Sequence, residues 1–384
     1  MADVFSPQIR ILPGGQQRLL KGIGTLDPTS LAAARKAGGY KGLTRAVKER
    51  SPEELIADVE SARLRGRGGA GYPVADKWRA ARAADGDRKI VVANLMGADP
   101  TSLGDRTLAE GNPHLVLEGA LIAAVAVGAS EAILAVRRDW TVAIERLKAA
   151  VAEAEAAHLA GYLILGTDVS VQATVWEGSG AYVAGEETAL IHALQGDRGM
   201  PLIRPPYPAT RGLWGVPTIV HNAETLAHVA WIAGHTAREF ARVGTAEASG
   251  TKLVTIAGAV RTPGLAEVAF GTSVEDVIGL AGGSSGTVKA AFIGGPGAGV
   301  RAADERGLHR AGRAAGEVDD LLDRRAHGHL CQARGAHGAG DGDELRPGRV
   351  LRPDLGELLR RAAGDPGDVG QGLGVVDDRR GVPE

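Results

Sequence analysis

The sequence predicts an α/β fold, and three observations carry that expectation. Runs rich in β-branched residues, Lys89-Ile90-Val91-Val92-Ala93-Asn94, Glu131 to Val136 and Val169 to Trp176, read as strands. Segments with helical periodicity separate them: Asn112-Pro113 opens one through Gly128, and Trp140 to Ala157 forms a longer one. Strand–helix alternation of this kind builds a sheet covered by helices. Finally, 384 residues with 44% hydrophobic content suffice for two or three domains and a large core.

Residues 1–50 read as an entry segment with one helix, started by Asp27-Pro28 and ended near Gly38-Gly39. The next helix is better specified: Ser51 is its N-cap, Pro52 its first residue, and Glu54 closes a capping box. Leu55, Ile56, Val59 and Leu64 lie along one face. There follows Arg65-Gly66-Arg67-Gly68-Gly69-Ala70-Gly71-Tyr72-Pro73, with four glycines and two arginines in its first seven residues. Glycine lets backbone N–H groups converge on an anion, and arginine offers a planar fork of donors. Gly66, Gly68 and Gly71 satisfy G-x-G-x-x-G, yet a dinucleotide fingerprint follows a strand and opens a helix. Here a helix precedes the loop and the strand comes after it, so the Rossmann reading is set aside.

A short helix is expected from Lys77 to Ala84, and the strand at 89–94 feeds an irregular segment, Gly97 to Ser102. A loop leaving the carboxyl end of a strand is where open α/β sheets place ligands. The strand ending at Trp176 leads to Gly178-Ser179-Gly180-Ala181-Tyr182-Val183-Ala184-Gly185-Glu186-Glu187, with Gly185 as expected N-cap of a helix ending near Gly196. Taken alone, two acids in a first helical turn complement the macrodipole. Arg204-Pro205-Pro206-Tyr207-Pro208 is a stiff extended connector. Pro217 to Thr225 is expected to open another apolar helix.

Lys252 to Val260 alternates as a strand, Thr262-Pro263-Gly264 signals a turn, Leu265 to Phe270 is the return strand, and Ser273 caps a helix. Hairpin then helix suggests a small β-grasp-like module. Gly282-Gly283-Ser284-Ser285-Gly286 matches a nucleophile elbow but follows a helix, which argues against a hydrolase. From Arg301 to Glu384 there is no aromatic residue, Ile, Met, Lys, Ser, Thr or Asn. Such a segment lacks the side chains for a core and is expected to stay disordered. His327, His329, Cys331 and His337 there have no supporting shell for a metal, and no metal site is expected.

One cysteine excludes a disulfide framework or a thiolate-only cluster within this chain. A net charge of −2 implies no polyanion partner, and no nucleic-acid binding is expected. Leu115 to Gly128 contains Glu118 and is too short to span a bilayer. With no leader recognisable at Met1-Ala2-Asp3-Val4, a cytoplasmic protein is expected.

Read together, the loops resemble the NADH-binding flavoprotein subunit of bacterial respiratory complex I and the diaphorase subunits of NAD-linked hydrogenases and formate dehydrogenases. The resemblance covers about residues 18–295. It rests on Gly66 to Pro73 with Lys77-Trp78, Asp105-Arg106 with Pro113-His114-Leu115, Tyr182 to Leu190, Pro205 to Pro208, and Gly212 to Thr218 with Asn222 and Glu224-Thr225-Leu226. It implies a non-Rossmann FMN-binding α/β domain over 1–245, a β-grasp-like soluble-ligand-binding module over 246–300, and a tail over 301–384. It further implies that hydride passes from nicotinamide C4 to flavin N5 and electrons then pass singly to an iron–sulfur cluster. On that pattern Gly66, Arg67, Gly68 and Gly69 line the flavin, Lys77 faces its phosphate or ring, Asn94 and Asn222 hydrogen-bond it, and Gly71 and His221 belong to the same cofactor site. Tyr72, Tyr182 and Tyr207 flank the nicotinamide nucleotide. Gly185, Glu186, Glu187 and Arg204 seat NADH, with Asp99 and Glu187 nearest the chemistry. Partners are implied too: a multi-subunit redox complex with a thioredoxin-like iron–sulfur subunit, through which the chain would attach to a membrane.

The pattern is not kept throughout. The family's acidic loop reads Asn-Ala-Asp-Glu-x-Glu-Pro-Gly; here it is Asn94-Leu95-Met96-Gly97-Ala98-Asp99-Pro100-Thr101, two carboxylates fewer. His221 replaces Asn, and Arg204 replaces Lys. The family's helical domain, with three close cysteines and a distant fourth, has no counterpart, so its four-iron cluster is expected to be absent. The tail's restricted alphabet is what out-of-frame GC-rich DNA yields, and a decayed remnant is the other explanation. Two rivals follow: a scaffold or assembly protein that keeps the fold without electron transfer, and, third, a Rossmann dehydrogenase.

Overall fold

A computed structural model describes residues 9–294 and 299–302. Two short helices, α1 (Leu31–Lys36) and α2 (Lys41–Lys48), occupy the entry segment where one was expected. Glu118 explains the second: its buried carboxylate accepts the N–H groups of Tyr40 (2.8 Å) and Leu43 (3.1 Å), capping α2 from a neighbouring helix. The acid that interrupts the long apolar run is therefore a cap. Helix α3 (Pro52–Ser61) begins with the anticipated capping box, and α4 (Val74–Ala83) follows the Gly-rich loop. Among the described residues no strand precedes that loop.

The sheet comprises β1 (Ile90–Leu95), β2 (Glu131–Arg137), β3 (Gln172–Gly178) and β4 (Thr218–Asn222), all parallel, in the order β3-β2-β1-β4. Strand β4 corrects the expectation that Pro217 to Thr225 opens a helix. The β-branched run Thr218-Ile219-Val220 pairs with β1, and helix α9 (Ala223–Gly234) starts only at Ala223. A five-residue strand that runs straight into a helix, with Asn222 both closing the strand and capping the helix, carries no punctuation that separates the two.

Alternate residues of the strands serve opposite layers, as a sheet buried on both faces requires. Val91, Ala93 and Leu95 face the core made with α5 (Gly104–Gly111), α6 (Pro113–Val127), α7 (Thr141–Ala156) and α9. Ile90, Val92, Ile133 and Val220 face α8 (Glu187–Leu194) through Leu190 and Ile191. Strand β3 begins three residues later than its apolar pattern suggested, because Val171 pairs with Gly161 outside the sheet. Among the described residues no helix is long and apolar enough to cross a membrane.

After α10 (Ala237–Ala241) comes the expected hairpin, β5 (Thr251–Ile256) against β6 (Gly264–Ala269), then α11 (Val274–Leu280) capped by Ser273. A further antiparallel pair joins β7 (Ala290–Ile293) and β8 (Gly299–Ala302). The hairpin is laced to the entry segment by Glu267. One of its carboxylate oxygens accepts the N–H groups of Arg18, Leu19 and Leu20. The other accepts the Thr251 hydroxyl. The tail expectations, with Cys331 and the three histidines, fall outside the described residues.

Candidate functional site

The chain leaves β1 toward β2 on one side and returns from β3 to β4 on the other, so its direction across the sheet reverses between β1 and β4. Crevices at the carboxyl ends of such a strand pair are where open α/β sheets bind ligands. Those ends carry Asn94 and Asn222, which pair in register. Four segments converge there: the Gly-rich loop, the 96–101 loop, the Tyr182-to-Glu187 turn and the start of α9.

The Gly-rich loop is closed by the Gly66 N–H to Tyr72 carbonyl bond at 2.9 Å and by the pairing of Arg65 with Pro73. A Cβ at Gly68 would come within 3.7 Å of Asn222 Cβ, whereas one at Gly69, where φ is +109°, would meet nothing. Gly71 also has positive φ. The inner side of the loop is bare backbone that a flat ligand can approach closely.

At the end of β4 stands an ion-pair chain. Lys77 Nζ lies 2.8 Å from Glu187 Oε2 and donates to the Val220 carbonyl at 3.2 Å, while Arg204 Nη1 lies 2.8 Å from Glu187 Oε1. Burial pushes Glu187 up, but Lys77 and Arg204 outweigh it and hold the carboxyl below its ordinary range. Glu186 is the N-cap of α8, displacing Gly185 from that expected role: one carboxylate oxygen accepts the N–H groups of Thr188 and Ala189, both at 2.9 Å. Its other oxygen is buried without a hydrogen bond, 3.6 Å from Arg204 Nη2. Gly185 instead packs on Ala98, where an added Cβ would clash at 2.6 Å. The Asn94 amide reaches the Ala184 and Gly185 carbonyls at 3.4 and 3.3 Å, joining the turn to β1.

Tyr72, Tyr182 and Tyr207 are 43%, 64% and 51% exposed, an unusual investment for large rings unless something covers them. Partial burial and the fields of Asp76, Tyr207 and Glu187 raise the Tyr72 hydroxyl above its usual range.

Three expected ligands have other work in this structure. The Arg67 guanidinium turns away from the crevice onto the carbonyls of Arg65, Ser249 and Thr251. His221 is buried under α4, where its Nε2 accepts the Trp78 indole N–H at 2.9 Å; burial and the Lys77 charge hold it neutral. Asp99 uses one carboxylate oxygen on the N–H and hydroxyl of Thr101, at 2.8 and 2.6 Å, a local turn within its own loop. Asn222 is split: its oxygen caps α9 through the Thr225 N–H, and its amide nitrogen lies 3.4 Å from Asp105.

The sequence reading passed over the buried polar group beneath Asn222. Glu224 accepts Leu253 N–H at 2.8 Å and pairs with Lys252 of β5, while Asp105 lies 3.4 Å from the Glu224 N–H. Polar residues inside the stretches that carried the resemblance, Asp105-Arg106 and Glu224-Thr225, were the available signal. Burial pushes Glu224 up, but Lys252 and His228 bring it down to about 2. Burial and the Glu224 charge push Asp105 up to about 6. Since that folded-state value exceeds the ordinary 3.8, the stability Asp105 contributes is present below pH 3.8 and lost as pH rises through 6. The loss amounts to about 3 kcal/mol at 1.36 kcal/mol per unit. Asp105→Asn is expected to flatten that part of the pH profile. Urea melts at about pH 4 and pH 7, which bracket that window, would check it, and an unchanged difference between the two pH values would contradict it.

Comparison with known proteins decides what such a crevice belongs to. Residues 59–231 match the model of the Nuo51 FMN-binding domain. The chain is 41% identical over 262 residues to the F subunit of NADH-quinone oxidoreductase in Aquifex aeolicus, covering 67% of this chain and 61% of that protein. Residues 59–231 are an FMN-binding domain of the Nuo51 family. The NADP-reducing hydrogenase subunit HndC of Solidesulfovibrio fructosivorans is 39% identical over 282 residues, 73% of this chain and 57% of its own. Among solved structures, the NAD+-reducing [NiFe]-hydrogenase in its H2-reduced state superposes with a TM-score of 0.69 at 34% identity. That match covers 79% of this chain and 49% of the hydrogenase chain. The chain thus spans about three fifths of the length of its curated relatives. The site's bare glycine backbone, ammonium group and amide donors fit a planar cofactor with an anionic tail.

Proposed function

We propose that this chain is the NADH-oxidising flavoprotein subunit of a complex-I-like NADH:quinone oxidoreductase or of a related diaphorase. The observation that carries the reading is the Lys77–Glu187–Arg204 chain, bonded to the Val220 carbonyl of β4 at the β1–β4 switch point. Bound FMN supplies the two-electron to one-electron conversion. The chain's own residues supply the geometry. Gly66, Gly68 and Gly69 let backbone approach the flavin, and Lys77 balances an anionic group while keeping Glu187 ionised. The Asn94 amide holds the Tyr182-to-Glu187 turn in place. Tyr72, Tyr182 and Tyr207 offer exposed faces for the nicotinamide nucleotide, and Arg204 tethers Glu187 at the mouth. Asp99 acts by shaping the 96–101 loop. Electrons leave to a soluble acceptor or to an iron–sulfur subunit of the assembly, which would also hold the chain at a membrane.

Titration with FMN followed by anaerobic NADH tests this. Flavin is expected to bind and its visible absorbance to bleach on NADH addition. Flavin that binds but does not bleach would favour the scaffold reading, for which the loss of two acids from the 94–101 loop speaks. Absence of flavin binding by folded protein would end the enzyme reading.

A further inference from the structure

Arg67, the buried arginine of the Gly-rich loop and an obvious anion ligand in the sequence, points away from the crevice, and so does Arg63 just before the loop. Arg63, at the loop's entry, donates to the Ala246 and Ala241 carbonyls at 2.8 and 3.2 Å. Arg67 Nε donates to the Thr251 carbonyl at 3.1 Å and Nη2 to the Ser249 carbonyl at 2.6 Å, and its guanidinium lies 4.5 Å over the Phe270 ring. All four carbonyls lie between the last residue of α10 and the first residue of β5. Burial lowers Arg67 only to about 10, so at neutral pH it remains a buried cation satisfied by carbonyls.

The same residue is held at its backbone. The Arg67 N–H donates to Thr225 Oγ1 at 2.8 Å, and that hydroxyl in turn bonds Asn222 Oδ1. Gly68, the next residue, is the one whose added Cβ would touch Asn222. Three parts of the chain distant in sequence therefore meet at one residue: the Gly-rich loop, the N-cap of α9 and the first residues of the hairpin. Loss of any of these bonds frees the loop from the amide it must align with.

We propose that Arg67 is a positioning residue for the flavin cradle, acting through the Thr225 hydroxyl and the Ser249 and Thr251 carbonyls to fix the Gly66–Gly71 backbone against Asn222. The proposal rests on the flavoprotein reading. It makes the hairpin part of the cofactor site, so flavin affinity responds to β5 through this clamp. A lysine at 67 keeps the charge but lacks the fork that spans two carbonyls.

The test uses the full chain with Thr225→Val, Thr225→Ser, Arg67→Lys and, as a destabilised control, Leu147→Ala in the buried face of α7. FMN affinity is read by quenching of flavin fluorescence well below each melting temperature, and the loop by amide hydrogen exchange over residues 66–72. The expected result is at least tenfold weaker FMN binding and at least tenfold faster loop exchange in Thr225→Val and Arg67→Lys. Thr225→Ser should restore both, and Leu147→Ala should stay within twofold despite its lower melting temperature. If Thr225→Val and Arg67→Lys lose only melting temperature, like the control, the positioning role is overturned. If the wild-type chain binds no FMN, the flavoprotein reading fails by itself. Loop exchange then still decides: acceleration confined to the two variants upholds the clamp, and unchanged exchange removes it.

Discussion

Replacing Lys77 by methionine is expected to weaken FMN binding by about one and a half to three and a half orders of magnitude and to abolish bleaching by NADH. Lys77 sits one turn into α4, and its ammonium bridges the Val220 carbonyl at the end of β4 and the Glu187 carboxylate at the start of α8. Methionine keeps most of the stem and removes the charge. Glu187, four-fifths covered, then keeps only the more exposed Arg204, and the burial that now loses to the two cations pushes its carboxyl upward. Truncating one partner of a buried charge pair costs about 2–5 kcal/mol, largely because the other charge stays buried. At 1.4 kcal/mol per decade that spans tens- to thousands-fold in affinity. A fluorescence titration of Lys77→Met reads it directly. Binding within threefold of wild type would mean that the ammonium does not face the cofactor, and the site would have to be drawn elsewhere along the crevice.

The largest stability effect is expected at Gly119, next to the Glu118 that caps α2. It lies in α6 where that helix crosses α9, and a Cβ there would fall 1.9 Å from the Leu226 carbonyl oxygen. Both sides of the clash are helix backbone, so neither yields by a rotamer change. Alanine in place of glycine gains about 1 kcal/mol of helix propensity. Forcing two packed helices apart costs more than a methylene of ordinary overpacking, itself about 1–3 kcal/mol. Gly119→Ala is expected to lose about 3–5 kcal/mol net, within the range that marks a specific mechanism. Because Asn222 caps α9, the shift reaches the crevice as well. Chemical denaturation would measure the loss, and flavin titration of whatever folds would report the displaced cap. A variant as stable as wild type would show that α6 and α9 slide rather than clash.

Much of this was legible in the residues. The capping box at Ser51, the strands at 90 and 131, the long helices and the hairpin beyond residue 250 are local statements, made by side chains within a few positions of one another. Position of the Gly-rich loop after a helix was enough to set aside a Rossmann site. Glu187 and Lys77 could be marked as charged residues in loops near strand ends, but their meeting across 110 residues of sequence is a tertiary fact. Strand β4 was lost because its local signal merges with the helix it caps, and only pairing with β1 reveals it.

Two expected ligands show why the rest was not legible. Arg67 and His221 are residue types that bind anions and cofactors when they face a cleft, and the sequence lists the type without the direction. Arg67 is turned to the hairpin by carbonyls some 180 residues away, and His221 is turned to Trp78 by burial on the core side of β4. What the sequence by itself determined is the α/β class, the inventory of donors and the loops in which they sit, because helix caps, strand alternation and glycine content act locally. What only the tertiary structure decided is which of those donors look into the β1–β4 crevice. That choice depends on where the sheet reverses and on which buried carbonyls and carboxylates claim each cation first, and both are set by contacts between segments the chain keeps far apart.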